Sequence, residues 1–583
     1  MTATASADLD PEHDDRIVVI SDFRLKDNIK AVPGARWDVH RRIWTIPRTW
    51  PACLALRAEL GSYLTLGADL KEWAGKEKYR KQVLRHLRET LDAGYTKPDL
   101  PGFAELYPHQ TTGGFAIELA NRYLIMDETG AGKTRTSLAG LSLLRESGND
   151  VYPMLIVAPK TMLKTWSKEA AGFFPDADIR LCRGTPTQIK AALEPGGDIY
   201  VIGYNSLRSY SRLAPYGSTK LTDDQKTDKQ LQDIPFNSLI ADEAHRAKTP
   251  TAQQTRALWA AAKNAQFRVV MTGTPIQDTP EDLWALLHLT DSLEYPSKTS
   301  YVERFLQTSW NQWGGREVDG MNPLHWDEFV SNFDAMSRRI TKAMALPFLP
   351  PKSYQTRWVQ LPPKLRKSYN SMRDVLVAEL ETTTMSANNV LEKATRLIQL
   401  ANASGDVDED GKFTMQAPSP KIDAFMNDIA EGDFDGRQVI VFSDSRQLVD
   451  LLDEEMTSKK IEHVVINGDV TGDDRDEAMR RFQEEGVPFI LLTRAGGEGI
   501  TLTAANTMVR LIRPWSLTVH QQAEDRNHRI GSEIHDVINY VDYITEDTCE
   551  EAQLVRLNAK KARAEEVLRD TELLEMLKSR GTE

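Results

Sequence analysis

Two series of short, unbroken apolar runs, separated by longer stretches with helical spacing, predict an α/β chain with two lobes, each built on a parallel sheet. The first series is YLIM (123–126), MLIVA (154–158), IYVIG (199–203), SLIA (238–241) and RVVMT (268–272). The second is QVIVF (438–442), HVVIN (463–467), PFILL (488–492) and MVRLI (508–512). A strand covered by helices on both faces is apolar along its whole length, so such runs belong to parallel sheets flanked by helices. The length agrees: 583 residues exceed what one hydrophobic core can organise, and three or four domains are expected.

A small α+β unit precedes the first lobe. Residues 1–15, small and acidic, are expected to form a mobile tail. In residues 16–65, Arg16–Ser21 has the composition of a strand and Phe23–Val32 has helical spacing. Arg36–Val39 and Ile43–Ile46 form a hairpin around His40-Arg41-Arg42, and Pro51–Leu60 a short helix. The first lobe is assigned to 66–345 and opens with a charged helix, Lys71–Thr90, striped by Val83, Leu84, Leu87 and Leu91. Residues 290–350 carry Tyr301, Phe305, Trp310, Trp313, Trp326 and Phe329 and are expected to be a helical insertion with these rings as core. The second lobe, 346–565, holds a helical stretch at Lys364–Ala403 and an acidic loop at Ser404–Lys412; residues 566–583 form a charged tail.

Composition narrows the class. At 40% hydrophobic and 27% charged the chain is of soluble globular type. It has no apolar run of the ~18 residues a membrane span requires. The acidic Met1–Asp15 does not resemble a secretion signal. Cys53, Cys182 and Cys549 form no CxxC pair, which speaks against a zinc module or disulfide framework and suits a reducing cytoplasm, the host's if the chain is phage-encoded. The net charge of −13 disfavours nucleic acid as a partner, but phosphate binding needs only a local basic surface.

Three groups carry chemistry. Asp127-Glu128-Thr129-Gly130-Ala131-Gly132-Lys133-Thr134 follows the strand ending at Met126 and opens a helix. Backbone N–H groups of such a loop cradle phosphates, Lys133 reaches the β/γ-phosphates and Thr134 ligates Mg²⁺. Asp127 stands where the strict pattern has glycine, so a plain glycine-rich turn is the competing reading. Asp242-Glu243-Ala244-His245 ends the run Ser238–Ala241, placing Asp242 to hold Mg²⁺ through water and Glu243 to polarise the attacking water; alone, it also reads as a helix cap. In Gln522-Ala-Glu-Asp-Arg526-Asn-His-Arg529, two arginines three apart on a helix share a face and suit arginine fingers. The same residues equally suit a charged surface helix with Glu524 and Asp525 pairing the arginines.

DETGAGKT (127–134), DEAH (242–245), TGTP (272–275), TRAGGEGITLTAA (493–505) and QAEDRNHRIG (522–531) stand in the order and spacing of Swi/Snf-type ATPases of helicase superfamily two. The chain resembles that family over about 100–535, most nearly its annealing-helicase relatives, with Ser516 and Ser532 departing from the usual Asn and Gln. The resemblance implies two RecA-like lobes, ATP and Mg²⁺ as cofactors, and catalytic roles for Lys133, Asp242, Glu243, Gln522, Arg526 and Arg529. It implies nucleotide contacts at Gln110, Thr129, Gly130, Ala131, Gly132, Lys133, Thr134, Gly497 and Glu498, with Thr134 and Asp242 at the metal. It implies a DNA track through Lys160, Thr161, Trp166, Tyr204, Asn205, Ser443, Thr493 and Arg494.

Residues 23–47 are similar to the HepA-related (HARP) domain of annealing helicases, which implies recognition of junctions or forks. Arg36, Arg41, Arg42 and Arg48 beside Trp37 and Trp44 suit phosphates and exposed bases; a small packing domain with its tryptophans, Trp44 above all, as core is the competing reading. The expected function is therefore an ATP-driven, monomeric translocase on double-stranded or forked DNA. A strand-separating DNA or RNA helicase and a non-hydrolysing DNA clamp are the alternatives.

Overall fold

The computed structural model describes residues 4–213, 230–277, 279–310, 314–382, 387–407, 413–470, 473–494 and 500–568. The chain divides into two compact units, Met1–Ala345 and Leu346–Glu583.

The first unit begins with a small sheet of β1 (Ala5–Leu9), β2 (Arg16–Ser21), β3 (Arg36–Asp38), β4 (Ile43–Pro47) and β5 (Leu64–Leu66), in the order β3-β4-β2-β1-β5. The expected tail is thus partly a strand. β1 pairs antiparallel with β2, from Ala5 opposite Ser21 to Leu9 opposite Ile17, and parallel with β5. Ala5 and Ala7 enter the core while Ser6 faces out; two alanines give too weak an alternation for the strand to be read from sequence.

The boundary near residue 66 also needs correction, because one helix serves two cores. In Ala68–Glu89, Leu70 packs with Ile17, Val19, Leu56 and Leu60 of the small unit, while Leu84 and Leu87 belong to the lobe core. Asp8 Oδ1 accepts the Leu70 N–H at 2.8 Å near the start of this helix. Buried pairs Lys81–Glu294 (3.1 Å) and Arg88–Asp334 (2.9 Å) fasten its other end to the lobe. Removing residues 1–65 would strip the cover from Leu70 and Trp73, so the remaining chain is expected to unfold at lower temperature. An unchanged midpoint in thermal unfolding would show that the two cores are independent.

The lobe itself is a parallel sheet of β6 (Arg122–Ile125), β7 (Met154–Ala158), β8 (Ile179–Cys182), β9 (Ile199–Gly203), β10 (Ser238–Ala241) and β11 (Phe267–Met271), joined at one edge by a short later strand. Before that strand comes a hairpin, β12 (Leu306–Trp310) with β13 (Arg316–Met321), so the insertion is not wholly helical. Tyr301, Phe305 and Phe329 are core as expected, whereas Trp310 is 77% exposed and Trp313 lies outside the described residues. The edge strand is β14 (Ser337–Arg338), and the order is β14-β6-β11-β10-β7-β9-β8. β6, β11 and β10 are neighbours, so the loops after them meet at one end of the sheet, the usual place for a ligand in such folds.

The second unit is another parallel sheet. Its strands are β15 (Lys352–Val359), then, after a hairpin of β16 (Ser404–Val407) and β17 (Phe413–Gln416), β18 (Val439–Ser443), β19 (His463–Ile466), β20 (Phe489–Thr493), β21 (Thr507–Ile512) and β22 (Ile538–Thr545). The order is β15-β22-β21-β18-β20-β19. Part of the expected loop Ser404–Lys412 is therefore a strand; residues 408–412 lie outside the described residues. The expected α/β fold class, two lobes each built on a parallel sheet, is borne out.

Candidate nucleotide site

The loop after β6 is shaped by glycine. Gly130 and Gly132 have φ of 91° and 85°, a region costly for residues with a Cβ. A Cβ on Gly132 would stand 1.9 Å from Gln110 Nε2, so the loop lies directly against the Gln110 side chain of the helix Pro108–Ala120. Gln110 is buried there, its Oε1 accepting the Tyr107 N–H at 2.9 Å. The loop closes around Lys133, whose ammonium donates to the carbonyls of Asp127 (2.8 Å) and Glu128 (3.2 Å). Thr134, half-buried, follows at the start of the helix Lys133–Glu146. Left-handed glycines, a helix N-terminus and a centred ammonium suit a triphosphate, and Thr134 with Asp242 suits its Mg²⁺.

Asp127 explains its own departure from the phosphate-loop pattern. It is wholly buried and pairs with the equally buried Arg338 of β14 at 2.6 Å. Arg338 also donates to the His109 carbonyl at 2.8 Å, and Asp127 Oδ1 accepts the Ile340 N–H at 3.0 Å. One ion pair thus ties the loop, the helix carrying Gln110 and the edge strand together. Sequence reasoning missed Arg338; the signal was Asp127 itself, since a carboxylate closing an apolar strand demands a cation.

After β10, Asp242 Oδ2 accepts the Trp166 indole N–H at 2.8 Å, and the Asp242 carbonyl accepts the Tyr204 hydroxyl at 2.6 Å. Burial, then the neighbouring Glu243 charge, pushes the Asp242 carboxyl up to about 6, against the indole hydrogen bond and the Lys133 charge. Burial acts on Glu243 too, but His245, Lys133 and Arg246 outweigh it and hold that carboxyl below its ordinary range. Glu243 has left-handed backbone at φ 49°, ψ 46°, a conformation uncommon for a residue with a Cβ. His245 Nδ1 lies 2.9 Å from Thr272 Oγ1 and 3.2 Å from Glu243 Oε2, linking the DEAH and TGTP segments. A Cβ on Gly273 would meet Thr129 Oγ1 at 2.6 Å, so TGTP packs directly on the phosphate loop. The Lys133, Asp242 and Gly273 segments form one cluster.

In the second unit, Gln522 lies on the helix Leu517–Glu524, but Arg526 and Arg529 lie in the turn after it, not on a helix face as expected. Glu524 does not pair with those arginines. It binds Arg510 (2.7 Å) and Lys352 (3.0 Å), and Arg510 also binds Asp542 at 2.6 Å, a buried network that fixes the end of the helix. Arg526 is buried, and Arg529 donates to Thr501 Oγ1 at 2.6 Å. Gly497 and Glu498 lie outside the described residues.

Comparison with known proteins decides the family. The SNF2-related domain matches residues 79–405, and the helicase conserved C-terminal domain matches 421–531. The chain belongs to the SNF2-related family. Similar proteins include DNA annealing helicase and endonuclease ZRANB3 of Bos taurus (28% identical; 73% of this chain, 37% of that protein). Others are Protein CHROMATIN REMODELING 5 of Arabidopsis thaliana (27%; 75% and 25%) and the uncharacterized ATP-dependent helicase MG018 of Mycoplasma genitalium (25%; 70% and 37%). The chain thus spans well under half the length of these relatives. Among solved structures, the Sulfolobus solfataricus SWI2/SNF2 ATPase core in complex with dsDNA matches at TM-score 0.37 and 21% identity, covering 83% of this chain and 98% of that one.

For an SNF2-related chain the expected DNA track is only partly at the surface. Lys160, Thr161, Asn205 and Arg494 are exposed. Trp166 and Ser443 are fully buried and Tyr204 and Thr493 are 5% exposed, so their side chains do not line a surface track. Trp166 and Tyr204 instead hold Asp242, and the Ser443 hydroxyl donates to the Ser445 carbonyl. Lys164 and Lys168, both exposed, continue from Lys160 at four-residue spacing, the period of one helix face.

Trp166→Phe tests the role of the indole. Asp242 must be ionised to hold a cation, and the indole favours that form, so its loss raises the carboxyl pKa further. The acid side of the pH–rate profile is expected to move to higher pH, with a higher Mg²⁺ requirement. A profile superposed on wild type would reduce Trp166 to a packing residue.

Proposed function

We propose that this chain is an ATP-dependent motor that hydrolyses ATP with Mg²⁺ and translocates on double-stranded or forked DNA. The observation that carries the reading is the cluster after β6, β10 and β11: a glycine cradle closed on Lys133, beside a buried Asp242–Glu243 pair that Lys133 biases electrostatically. Lys133 binds the β/γ-phosphates, Thr134 and Asp242 hold Mg²⁺, and Glu243 polarises water. Gln110 reads the base, and Gln522, Arg526 and Arg529 keep the catalytic roles that the motif order implies. Membership of a family whose members include a DNA annealing helicase supports DNA as the track. The exposed Lys160, Lys164 and Lys168 supply local positive charge on a chain of net charge −13. Residues 16–65 serve as the junction-reading part. Within them Arg36 and Arg42 are exposed, while Arg41 is committed to Asp10 at 2.8 Å.

The test is ATP turnover measured side by side with single-stranded, duplex and forked DNA and with RNA. Duplex and fork are expected to stimulate, and DNA affinity to fall steeply with salt through counterion release. Stimulation by RNA alone, or a flat salt response, would overturn the DNA reading.

A further inference from the structure

A cavity of about 470 Å³ lies at the seam between the small N-terminal sheet and the first lobe. Its walls come from four places: Arg48 after β4, Trp50 at the start of the helix Trp50–Leu60, Trp73 on the shared helix, and Glu294 of the lobe. Three cations of the wall are already committed, Arg80 to Glu77, Lys81 to Glu294 and Arg122 to Asp291. Arg48 is half-buried and has no acidic partner among the described residues. Glu294 is 9% exposed at its side chain; Oε1 takes the Lys81 ammonium, while Oε2 is buried with no hydrogen-bond partner. Burial, foremost, raises its pKa. A buried oxygen left unpaired costs free energy, which a ligand donor would recover.

We propose that this seam is a pocket for one unpaired nucleotide, with its base on the indoles of Trp50 and Trp73, its exocyclic amino group donating to Glu294 and its phosphate on Arg48. An indole can stack on any base, a carboxylate accepts from the cytosine amino group, and a guanidinium takes phosphate. The volume falls within the range of about 300–1,000 Å³ of small-ligand pockets. Asp14 and Asp15 are exposed on the rim and oppose the phosphate, which weakens the binding that Arg48 provides. The pocket rests on the DNA-motor reading for its choice of ligand. It places the junction-reading function at the seam between the small sheet and the lobe.

The test measures binding of labelled oligo-dC and oligo-dT to the whole chain, without ATP, by fluorescence anisotropy. Oligo-dC is expected to bind more tightly, because thymine lacks the amino donor. Arg48→Gln should weaken both and lower the salt slope by about one. Trp50→Ala should weaken both roughly tenfold, and Glu294→Gln should shrink the dC preference. Asp15→Asn, which leaves the walls intact, should tighten binding. Unaltered affinity in both R48Q and W50A, or equal affinity for the two oligonucleotides, overturns the pocket, even if duplex DNA stimulates ATP turnover. A chain that shows no stimulation but binds oligo-dC through Arg48 and Trp50 fails as a motor and keeps the pocket.

Discussion

Glu243→Gln is expected to lower ATP turnover by about 10²–10⁴-fold, the range lost with a general base, while ATP still binds. The Asp242 carboxylate, the Lys133 ammonium and the glycine cradle are untouched by that change, and the ATP-bound protein should accumulate on DNA. Lys133→Ala should differ in kind. It removes the charge at the centre of the loop, where the ammonium sits 2.8 Å from the Asp127 carbonyl, and both nucleotide binding and hydrolysis should fail. Equilibrium ATP binding beside single-turnover hydrolysis separates the two. Equal loss of binding in both variants would make Glu243 structural, a reading that its left-handed backbone would also accommodate.

Arg338→Gln is expected to cost about 3–5 kcal/mol of stability, because it strands a buried carboxylate without its cation. Both side chains of the Asp127–Arg338 pair have zero exposure. Space for the guanidinium exists because residue 113 is glycine: a Cβ there would lie 2.3 Å from Arg338 Nη1. The loss should reach the nucleotide as well, since Arg338 holds the His109 carbonyl one residue from Gln110. A raised KM for ATP should accompany the lower urea midpoint. Asp127→Asn in the R338Q background removes the stranded charge and should recover much of the stability. If the double variant is no better than R338Q, the ion pair is not what holds the loop.

Strand periodicity and loop chemistry made much of the fold legible from sequence. The nine apolar runs all became strands of two parallel sheets, because a strand buried on both faces advertises itself with no help from its neighbours. β15 and β22 escaped notice because Ser353, Gln355, Thr356, Asn539 and Asp542 interrupt their apolar residues. Asp542 belongs there only because Arg510 arrives from the next strand to neutralise it. The DNA track was legible less well. Motif order put Trp166 and Tyr204 on it, but their polar atoms turn inward to Asp242, and sequence does not report where a ring points.

What the sequence by itself determined is local: which runs are strands, which loop can wrap a phosphate, and which carboxylates follow β10. Those follow from a residue's own backbone freedom and hydrophobicity. What only the tertiary structure decided is who neutralises whom. Asp127 meets Arg338 across 211 positions of chain, Lys81 meets Glu294 across 213, and the helix Ala68–Glu89 divides its apolar residues between two cores. A buried charge has to find a partner in space, and any of 72 lysines and arginines could satisfy it on paper. Only the packing of β14 beside β6 brings Arg338 to Asp127.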